Sequence, residues 1–349
     1  MNILVTGGTG FIGSHACCLL IEKGYCLFII DSLINSKKDV IEMIKNVCDL
    51  KNISTKNKLY FFEGDLRNIK FIEKVFQEAN ALRKNINAVI HFAGLKDIRG
   101  SYFKPIDYWD SNVNSTINLL KVMNEYNCQT IVFSSSASIY EYGDGYAIKE
   151  KNNINPSSPY GKTKNTIEQI LKDIFCTNKG VWRVANLRYF NPIGAHSSGL
   201  IGEFPKNISN NLFPILSNVA IGKIKNLEIY GNDWPTRDGT AIRDYIHIVD
   251  LVEGHLLALE NLLQAKSKFL ELNLGTAKGT TVLELIKIFE KISNVNIPYT
   301  FLPRRKGDRA IIVADNSLAK STLGWSPKRT IEEMCIDGWN WQKSQICES

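Results

Sequence analysis

The segment SPYGKTK places Tyr160 and Lys164 four positions apart at the start of an amphipathic stretch. Residues four apart lie on one face of a helix, so these two side chains would be neighbours. An unperturbed tyrosine has a pKa of about 10 and is a poor base at neutral pH, but a nearby ammonium group favours the phenolate. The spacing therefore indicates a tyrosine that acts as a general base. A helix start with a solvated lysine is the alternative.

The motif VTGGTGFIGSH has the glycine spacing of a phosphate-binding loop. Gly8, Gly10 and Gly13 fit G-x-G-x-x-G, and Gly7 adds a G-x-x-G-x-x-G register. The motif follows a predicted strand and opens a predicted helix, which is the context that a dinucleotide fingerprint requires. Asp31 ends the second strand, where an acid would accept hydrogen bonds from ribose hydroxyls and repel a 2′-phosphate. The pattern favours NAD over NADP, and a purely structural turn is the alternative.

Two further strand ends carry residues that suit a flat cofactor. EGDLRN puts Asp65 just after the third strand, and HFAGLK puts Phe92, Ala93 and Gly94 after the fourth. The Asp65 carboxylate would either cap the following helix or accept a hydrogen bond from the adenine amine. Lys96 would reach a ribose or phosphate, unless it is an ordinary surface lysine.

The segment TIVFSSS ends in Ser136 at the carboxyl end of a predicted strand. This hydroxyl could cap a turn, or it could reach the same substrate hydroxyl as Tyr160. Bringing the pKa of Tyr160 to about 7 needs about 4 kcal/mol of differential stabilisation. The Lys164 ammonium and the positive nicotinamide of bound NAD together could supply it in a site shielded from water.

The elements that must position these residues alternate between continuous apolar strands and helices. Such alternation predicts an α/β fold, a doubly wound parallel (Rossmann) sheet with its ligand at the carboxyl ends of the strands. The predicted strands are 3–6, 26–30, 59–62, 88–92, 130–136 and 184–190, and the predicted helices are 12–23, 69–82, 107–126 and 160–177. After about residue 189 glycine, proline and asparagine become frequent, and helices are expected to be shorter and farther apart. We predict an NAD-binding domain over 1–188 and a smaller, loop-rich substrate domain over 189–349, with some segments returning to the first.

Composition sets limits on the class of protein. The 349 residues are 44% hydrophobic and 22% charged, as in ordinary globular domains. No apolar run is long enough to span a bilayer, and the first strand leaves no room for a signal peptide. The net charge of +7 comes with no nucleic-acid-binding motif, so the lysines of 37–58 are interpreted as a solvated surface. Eight cysteines without CxxC spacing predict no metal site, no disulfides and a reducing cytoplasm.

Six motifs together resemble one family. They are VTGGTGFIGSH, HFAGLK, SPYGKTK, LRYFNPIGAH, IYGNDWPTRDGTAIRDYIHIVDL and PRRKGD. The chain resembles the extended short-chain dehydrogenase/reductase family, and within it the UDP-glucose 4-epimerases, also called UDP-galactose 4-epimerases. The resemblance runs from Met1 to about Trp341, and the last three motifs lie outside the shared cofactor domain.

The resemblance implies roles for particular residues. Tyr160 would be the catalytic base, Lys164 its electrostatic partner, and Ser136 the hydroxyl that bridges to the sugar. The implied NAD contacts are Gly7, Gly10, Phe11, Ile12, Gly13, Asp31, Asn35, Ser36, Asp65, Leu66, Phe92, Ala93, Gly94, Lys96, Asn112 and Tyr189. The implied UDP-sugar contacts are Ser136, Tyr160, Asn191, Asn211, Leu212, Tyr230, Arg243, Arg305 and Asp308.

The resemblance also implies an activity and an assembly. The reaction would be NAD-dependent epimerisation at C4, interconverting UDP-glucose and UDP-galactose through a transient 4-keto sugar in galactose metabolism. The enzyme would be a cytoplasmic homodimer that uses helices 107–126 and 160–177 as its interface. Ile312 falls where the family gates the 2-position of the sugar, which predicts weak use of N-acetylated UDP-sugars.

Three other readings remain open, and two segments depart from the family pattern. A nucleotide-sugar 4,6-dehydratase would place an Asp-Glu pair where Ala137 and Ser138 stand. A UDP-glucuronate or UDP-pentose 4-epimerase would differ only in the pocket residues around C6 of the sugar. A catalytically silent NAD-binding scaffold would lack the set of Ser136, Tyr160 and Lys164. The two segments that depart from the family pattern are residues 97–100 and 141–142. The Asn35–Asp65 connection is also several residues longer than in bacterial members of the family. The departures concern the sugar-side rim and the dimer edge rather than the central chemistry.

Overall fold

A computed structural model describes residues 1–141, 147–177, 180–206, 211–305 and 307–347. The chain forms two compact units. The first comprises Met1–Glu141, Asn153–Arg188 and Val252–Leu272, and the second Tyr142–Asn152, Tyr189–Leu251 and Asn273–Ser349. Of the two residues 141–142 that depart from the family pattern, residue 142 lies outside the described residues.

The chain alternates strands and helices throughout. The strands are β1 Asn2–Thr6, β2 Cys26–Asp31, β3 Leu59–Glu63, β4 Ala88–His91, β5 Thr130–Ser136, β6 Arg183–Tyr189, β7 Asn191–Ile193, β8 Leu227–Tyr230, β9 Ile242–Arg243, β10 Tyr245–His247, β11 Lys268–Leu274, β12 Thr280–Thr281, β13 Tyr299–Leu302 and β14 Ile311–Ile312. The helices are α1 Phe11–Glu22, α2 Val40–Asp49, α3 Ile69–Ala81, α4 Ile98–Phe103, α5 Pro105–Tyr108, α6 Ser115–Glu125, α7 Pro159–Thr177, α8 Leu212–Ala220, α9 Ile248–Leu263, α10 Val282–Ser293, α11 Ser317–Leu323 and α12 Ile331–Cys347.

The first unit is built on a seven-stranded sheet with the order β11-β6-β5-β4-β1-β2-β3. Strand β1 pairs in parallel with β2 on one side and with β4 on the other. The strand order therefore reverses beside β1, and in open α/β sheets ligands bind outside the strand ends at such a point. The predicted doubly wound fold is confirmed.

The central strands are buried on both faces, which explains their continuous apolar sequences. Ile3, Leu4 and Val5 of β1 are fully buried, as are Phe28 and Ile29 of β2. These strands hold the loops at their carboxyl ends in fixed positions, so the sheet can orient residues of the candidate site.

The described residues of the second unit form three small sheets. Strand β7 pairs with β10, β8 with β13, and β9 with both β12 and β14. The expectation of shorter helices after residue 189 is wrong, because α9 has 16 residues and α12 has 17. The glycines and prolines that suggested a loop-rich texture are concentrated between these helices, where chain turns need them.

The predicted helix 107–126 is interrupted in the structure. Helix α5 is followed by a π-helix over Trp109–Asn114, and α6 begins only at Ser115. Single π-helical turns are rare in proteins, and those that occur are often found at functional sites. None of the helices in the described part of the chain is long and apolar enough to cross a membrane.

Candidate active site

The glycine loop after β1 packs backbone against backbone. A Cβ atom added at Gly13 would lie 2.2 Å from the carbonyl oxygen of Gly7 and 2.8 Å from the Cα of Gly8. Gly7 has a φ of +69°, and a Cβ atom there would lie 2.7 Å from the backbone nitrogen of Ala93. Side chains at these positions would collide with main chain, so the loops after β1 and β4 can touch only because glycine is present.

The loop leads directly into helix α1, which begins at Phe11 and continues with Ile12. Gly10 is its N-cap residue, with no side-chain cap and no acidic residue in the first turn. The first N–H groups of a helix have no partner within it and attract anions. The glycine cradle and this bare helix start fit the pyrophosphate of a dinucleotide.

The Asp31 carboxylate at the end of β2 is tied to the glycine loop. It accepts hydrogen bonds from the backbone N–H of Thr9 at 3.1 Å and of Leu33 at 2.9 Å, and from the Ser36 hydroxyl at 3.0 Å. The Thr9 and Ser36 hydroxyls are 2.7 Å apart. Sequence reasoning missed Thr9, whose only signal was a hydroxyl between two loop glycines. Asn35 lies on the exposed side of the same turn.

Asp65 does not cap the helix that follows it. The N-cap residue of α3 is Asn68, whose side chain accepts from the backbone N–H of Phe71. The Asp65 carboxylate instead accepts from the Arg67 guanidinium at 2.7 Å, and this bond holds the pKa of Asp65 below its usual value. The capping alternative is therefore wrong, because the chain makes a further turn before α3 starts. Leu66 is buried beside it.

The loop after β4 is anchored by Asn112 of the π-helix. The Asn112 side chain accepts from the backbone N–H of Leu95 at 2.7 Å and donates to its carbonyl at 3.1 Å. It also donates to the Thr163 hydroxyl at 3.0 Å. A Cβ atom at Gly94, which has a φ of +150°, would lie 2.9 Å from Asn112 Oδ1. Asn112 thus connects the loop after β4 to α7, which carries Tyr160.

Other predicted cofactor contacts lie nearby in the first unit or at its edge. The Phe92 ring lies 4.9 Å from the His255 ring, centroid to centroid. Lys96 is exposed, and Tyr189 is buried as the last residue of β6. His91 is fully buried between the hydroxyls of Thr6 and Thr116, so both of its ring nitrogens are engaged.

The start of helix α7 follows the sequence signature of an N-terminus. The Ser158 hydroxyl accepts from the backbone N–H of Gly161 at 3.0 Å, and Pro159 is the first helical residue. A Cβ atom at Gly161 would lie 2.5 Å from the carbonyl oxygen of Ser138. This glycine allows α7 to approach the turn after β5, which brings Tyr160 to Ser136.

Tyr160, Lys164 and Ser136 are brought together in the structure. The Ser136 hydroxyl is near enough to the Tyr160 phenol to lower the pKa of the phenol, and it accepts a hydrogen bond from the hydroxyl of Ser138 at 3.0 Å. The Lys164 Nζ atom lies 5.9 Å from the centroid of the Tyr160 ring and donates to the carbonyl oxygen of Ser134 at 2.8 Å. The solvated-lysine alternative is wrong, because Lys164 is only 4% exposed.

Burial acts on the two titratable groups in opposite directions. It raises the pKa of Tyr160 to about 12, although the nearby Ser136 hydroxyl opposes the rise. It lowers the pKa of Lys164 to about 8, against the charge of Glu168. Burial disfavours the charged form of any group. The Lys164 ammonium is therefore not sufficient by itself to make Tyr160 a phenolate at neutral pH.

In the second unit, two arginines have different surroundings. Arg243, at the end of β9, donates to the carbonyl oxygens of Ile242 and Arg309 at 2.9 Å each, and its guanidinium lies 3.8 Å from Asp308. Arg305 stacks on the ring of Tyr230 with its Cζ atom 3.5 Å from the ring centroid. The Arg305 Nε atom is buried and has no hydrogen-bond partner among the described residues, a cost that an anionic or carbonyl ligand would remove.

The remaining predicted substrate contacts also lie in the second unit. Asn191 begins β7 and pairs in register with Tyr245 of β10. Asn211 is the N-cap residue of α8, and Leu212 is its first helical residue. Backbone N–H groups at such a helix start suit an anionic ligand.

Known proteins match nearly the whole chain. The family model described as GDP-mannose 4,6 dehydratase matches residues 4–337. The UDP-glucose 4-epimerase of Bacillus subtilis is 46% identical, covering 99% of this chain and 98% of its own length. A bifunctional UDP-glucose 4-epimerase and UDP-xylose 4-epimerase of Arabidopsis thaliana is 45% identical over 97% of this chain and 95% of its own length.

Solved structures of the same enzymes superimpose on the whole chain. The UDP-glucose-4-epimerase of Stenotrophomonas maltophila, with bound NAD and formylated UDP-arabinopyranose, has a TM-score of 0.93, 41% identity and full coverage of both chains. That of Bifidobacterium longum, in complex with NAD+ and UDP, has a TM-score of 0.91 and 42% identity, covering 99% of each chain. The chain belongs to the UDP-glucose 4-epimerase family of extended short-chain dehydrogenases/reductases.

Proposed function

We propose that the protein catalyses the NAD-dependent epimerisation of UDP-sugars at C4, interconverting UDP-glucose and UDP-galactose in galactose metabolism. The observation that carries the proposal is the buried set of Tyr160, Ser136 and Lys164 at the carboxyl end of β5. The reaction type is supported by relatives named UDP-glucose 4-epimerase, which match this chain over nearly their full length.

The first unit offers a site that fits NAD. Gly7 and Gly13 allow the close backbone packing of the glycine loop, which a Cβ atom at either position would prevent, and α1 starts without a competing acidic side chain. Asp31 is held at the end of β2, where it would accept from the ribose hydroxyls. A carboxylate there repels the 2′-phosphate of NADP. When bound, NAD supplies the acceptor and donor of the hydride at C4.

The residues of this chain would manage the proton. Tyr160, as phenolate, would take the proton of the sugar 4-hydroxyl directly or through Ser136, and it would return that proton to the inverted alcohol. The nearby Ser136 hydroxyl stabilises the phenolate form. Lys164 holds a positive charge one helical turn from Tyr160 and favours the same form.

The second unit supplies groups that suit the UDP moiety. Arginine binds phosphate oxygens through pairs of hydrogen bonds. Arg243 and Arg305 would bind the diphosphate of the UDP-sugar in this way, as the resemblance implies. Asp308 lies 3.8 Å from the Arg243 guanidinium and would limit its movement. The N-terminus of α8, with Asn211 and Leu212, would add backbone donors.

We also propose that the active enzyme is a homodimer in the cytoplasm. Four large apolar side chains between α4 and the π-helix are exposed: Tyr102, Phe103, Ile106 and Trp109. A monomer rarely exposes such a group of neighbours without a partner. Three of these side chains lie between the departure at 97–100 and the predicted interface helix 107–126, and Trp109 lies within that predicted helix.

The test is to incubate the purified protein with UDP-galactose and to quantify UDP-glucose with a coupled dehydrogenase. We expect conversion without added NAD and a reduction by several orders of magnitude in Tyr160→Phe, whose NAD content should be unchanged. Conversion by Tyr160→Phe at the wild-type rate would contradict the role of the phenol. UDP-xylose is assayed in parallel, because one relative is also a UDP-xylose 4-epimerase.

A further inference from the structure

The end of β5 is bonded to α7 at successive helical turns. The Ser134 carbonyl accepts from Lys164 Nζ at 2.8 Å, and the Ser135 hydroxyl donates to Glu168 Oε1 at 2.5 Å. The next serine of the strand, Ser136, lies near the Tyr160 phenol and lowers its pKa. Side chains four residues apart on a helix are neighbours, so Tyr160, Lys164 and Glu168 form one continuous row. Glu168 is therefore the third member of the row that begins with the candidate base.

Glu168 is part of a buried chain of alternating charges. Its carboxylate and the Arg188 guanidinium are each 1% exposed, and they are joined by bonds of 2.6 and 3.0 Å. Arg188 also donates to Glu271 at 2.7 Å and to the Tyr140 hydroxyl at 3.1 Å. Glu271 is the outer end of the chain, with 36% of its side chain exposed. The sequence of charges from Lys164 outwards is thus positive, negative, positive, negative.

Stability alone is a weak reason for this arrangement. Replacing a buried ion pair by apolar residues of similar volume is often neutral or stabilising. The position next to Lys164 offers a different reason. Burial lowers the pKa of Lys164 to about 8, and the negative charge of Glu168 works against that effect. The other titratable groups near Lys164 are the buried imidazole of His91 and the phenol of Tyr160, and burial keeps both neutral.

We propose that Glu168 is a positioning residue of the reaction, whose buried carboxylate keeps the Lys164 ammonium charged beside Tyr160. The Arg188 guanidinium holds that carboxylate in place and compensates its charge, whereas Glu271 contacts only the outer side of Arg188. The inference rests on the proposed function, because it gives Lys164 its role as the electrostatic partner of the base. Without the Glu168 charge, Lys164 would lose its proton more easily and Tyr160 would lose the neighbour that favours its phenolate.

The experiment compares Glu168→Gln with the wild-type holoenzyme. Glutamine keeps a hydrogen-bond acceptor for Ser135 and Arg188 but removes the charge. The first measurement is the pKa of Lys164, followed by NMR of the isotope-labelled side chain and assigned with Lys164→Met. The second is kcat for UDP-galactose from pH 6 to pH 10. We expect the Lys164 pKa to fall from about 8 by one unit or more. A fall of two units would leave about a tenth of the lysines charged at pH 7, so kcat there would fall about tenfold.

The pH profile separates this role from a structural one. A kcat that recovers as pH rises, because Tyr160 then ionises without help, supports the proposal. A loss that is equal at all pH values, or an unchanged Lys164 pKa, overturns it. Glu271→Gln is the matched control. It removes a negative charge that is paired with the same arginine, Arg188, but at the end remote from Lys164. It should leave the Lys164 pKa and the pH profile unchanged.

Two further results keep the outcome clear. If Glu168→Gln does not fold because Arg188 is left uncompensated, the double variant Glu168→Gln/Arg188→Gln removes both charges and should still lower the Lys164 pKa. An unchanged value in that variant also overturns the proposal. A wild-type protein without epimerase activity would refute the proposed function instead, and the NMR measurement would still report whether Glu168 controls the charge of Lys164.

Discussion

Replacing Lys164 by methionine should cost about two orders of magnitude in kcat at neutral pH. The Lys164 Nζ atom lies 5.9 Å from the centroid of the Tyr160 ring, and both side chains are buried. With an effective dielectric constant of about 20, a unit charge at that distance contributes about 3 kcal/mol to the stability of the phenolate. At about 1.36 kcal/mol per pKa unit, this corresponds to about two units and about 100-fold in the phenolate population.

The assay follows kcat for UDP-galactose as a function of pH, with NAD content and thermal denaturation measured in parallel. Below the pKa of Tyr160, kcat of Lys164→Met should rise about tenfold per pH unit, because each unit increases the phenolate fraction tenfold. Lys162→Met is the matched control, since Lys162 lies two residues away on the same helix and is exposed. It should behave as wild type.

Two results would refute this reasoning. One is a Lys164→Met enzyme that retains kcat within about threefold of wild type at pH 7. The other is a large loss that stays the same at pH 7 and pH 9, which would mean that the lysine acts through structure or cofactor retention rather than through the ionisation of Tyr160.

Three further predictions test other parts of the molecule. Gly13→Ala should lose bound NAD, because its Cβ atom would lie 2.2 Å from a carbonyl oxygen, whereas Gly10→Ala, with 3.2 Å, should keep most of it; absorbance of heat-released nucleotide decides, and equal retention would contradict the cradle. Ile106→Asp should give a monomeric mass by light scattering while Ile336→Asp, also at an exposed isoleucine, should not; a monomeric wild type would disprove the dimer. Ile312→Cys should raise kcat/KM for UDP-N-acetylglucosamine, because a methylene of overlap costs about 10- to 200-fold in discrimination; equal efficiency of the wild type on both sugar pairs would exclude the gate.

The strands and the glycine loop could be predicted because each depends on local pattern. Continuous apolar segments gave the positions of β1 to β6 within one or two residues, and the proline and serine at Ser158 and Pro159 gave the start of α7. These signals arise from side chains within one element and its immediate neighbours in the chain. These signals can be recognised without knowing which helices and strands pack against each other.

The parts that sequence reasoning missed depend on contacts between distant segments. The cap of α3 was assigned to Asp65 as one alternative, but Arg67 engages that carboxylate and Asn68 takes the capping position. A return of some segments to the first unit was predicted, but no local signal indicated that 252–272 is such a segment. Glu168 was also missed, because a glutamate on an amphipathic helix looks solvated until Arg188, twenty positions later, is seen beside it.

Burial raises the pKa of Tyr160 and lowers that of Lys164. This explains why neither the Y-x-x-x-K pair nor the glycine motif is by itself evidence for an active base. Burial drives the pKa of Tyr160 up to about 12 and that of Lys164 down to about 8, so it moves both groups towards their neutral forms. A phenolate at neutral pH would require about five pKa units, or about 7 kcal/mol, of added stabilisation. The Lys164 ammonium contributes about 3 kcal/mol, which is less than half of that. A second positive charge must therefore lie close by in the working enzyme, and the glycine cradle at the end of β1 is where a dinucleotide with a cationic ring fits. We therefore expect the base to be active only when that cation is bound, so that the Y-x-x-x-K pair depends energetically on the glycine motif.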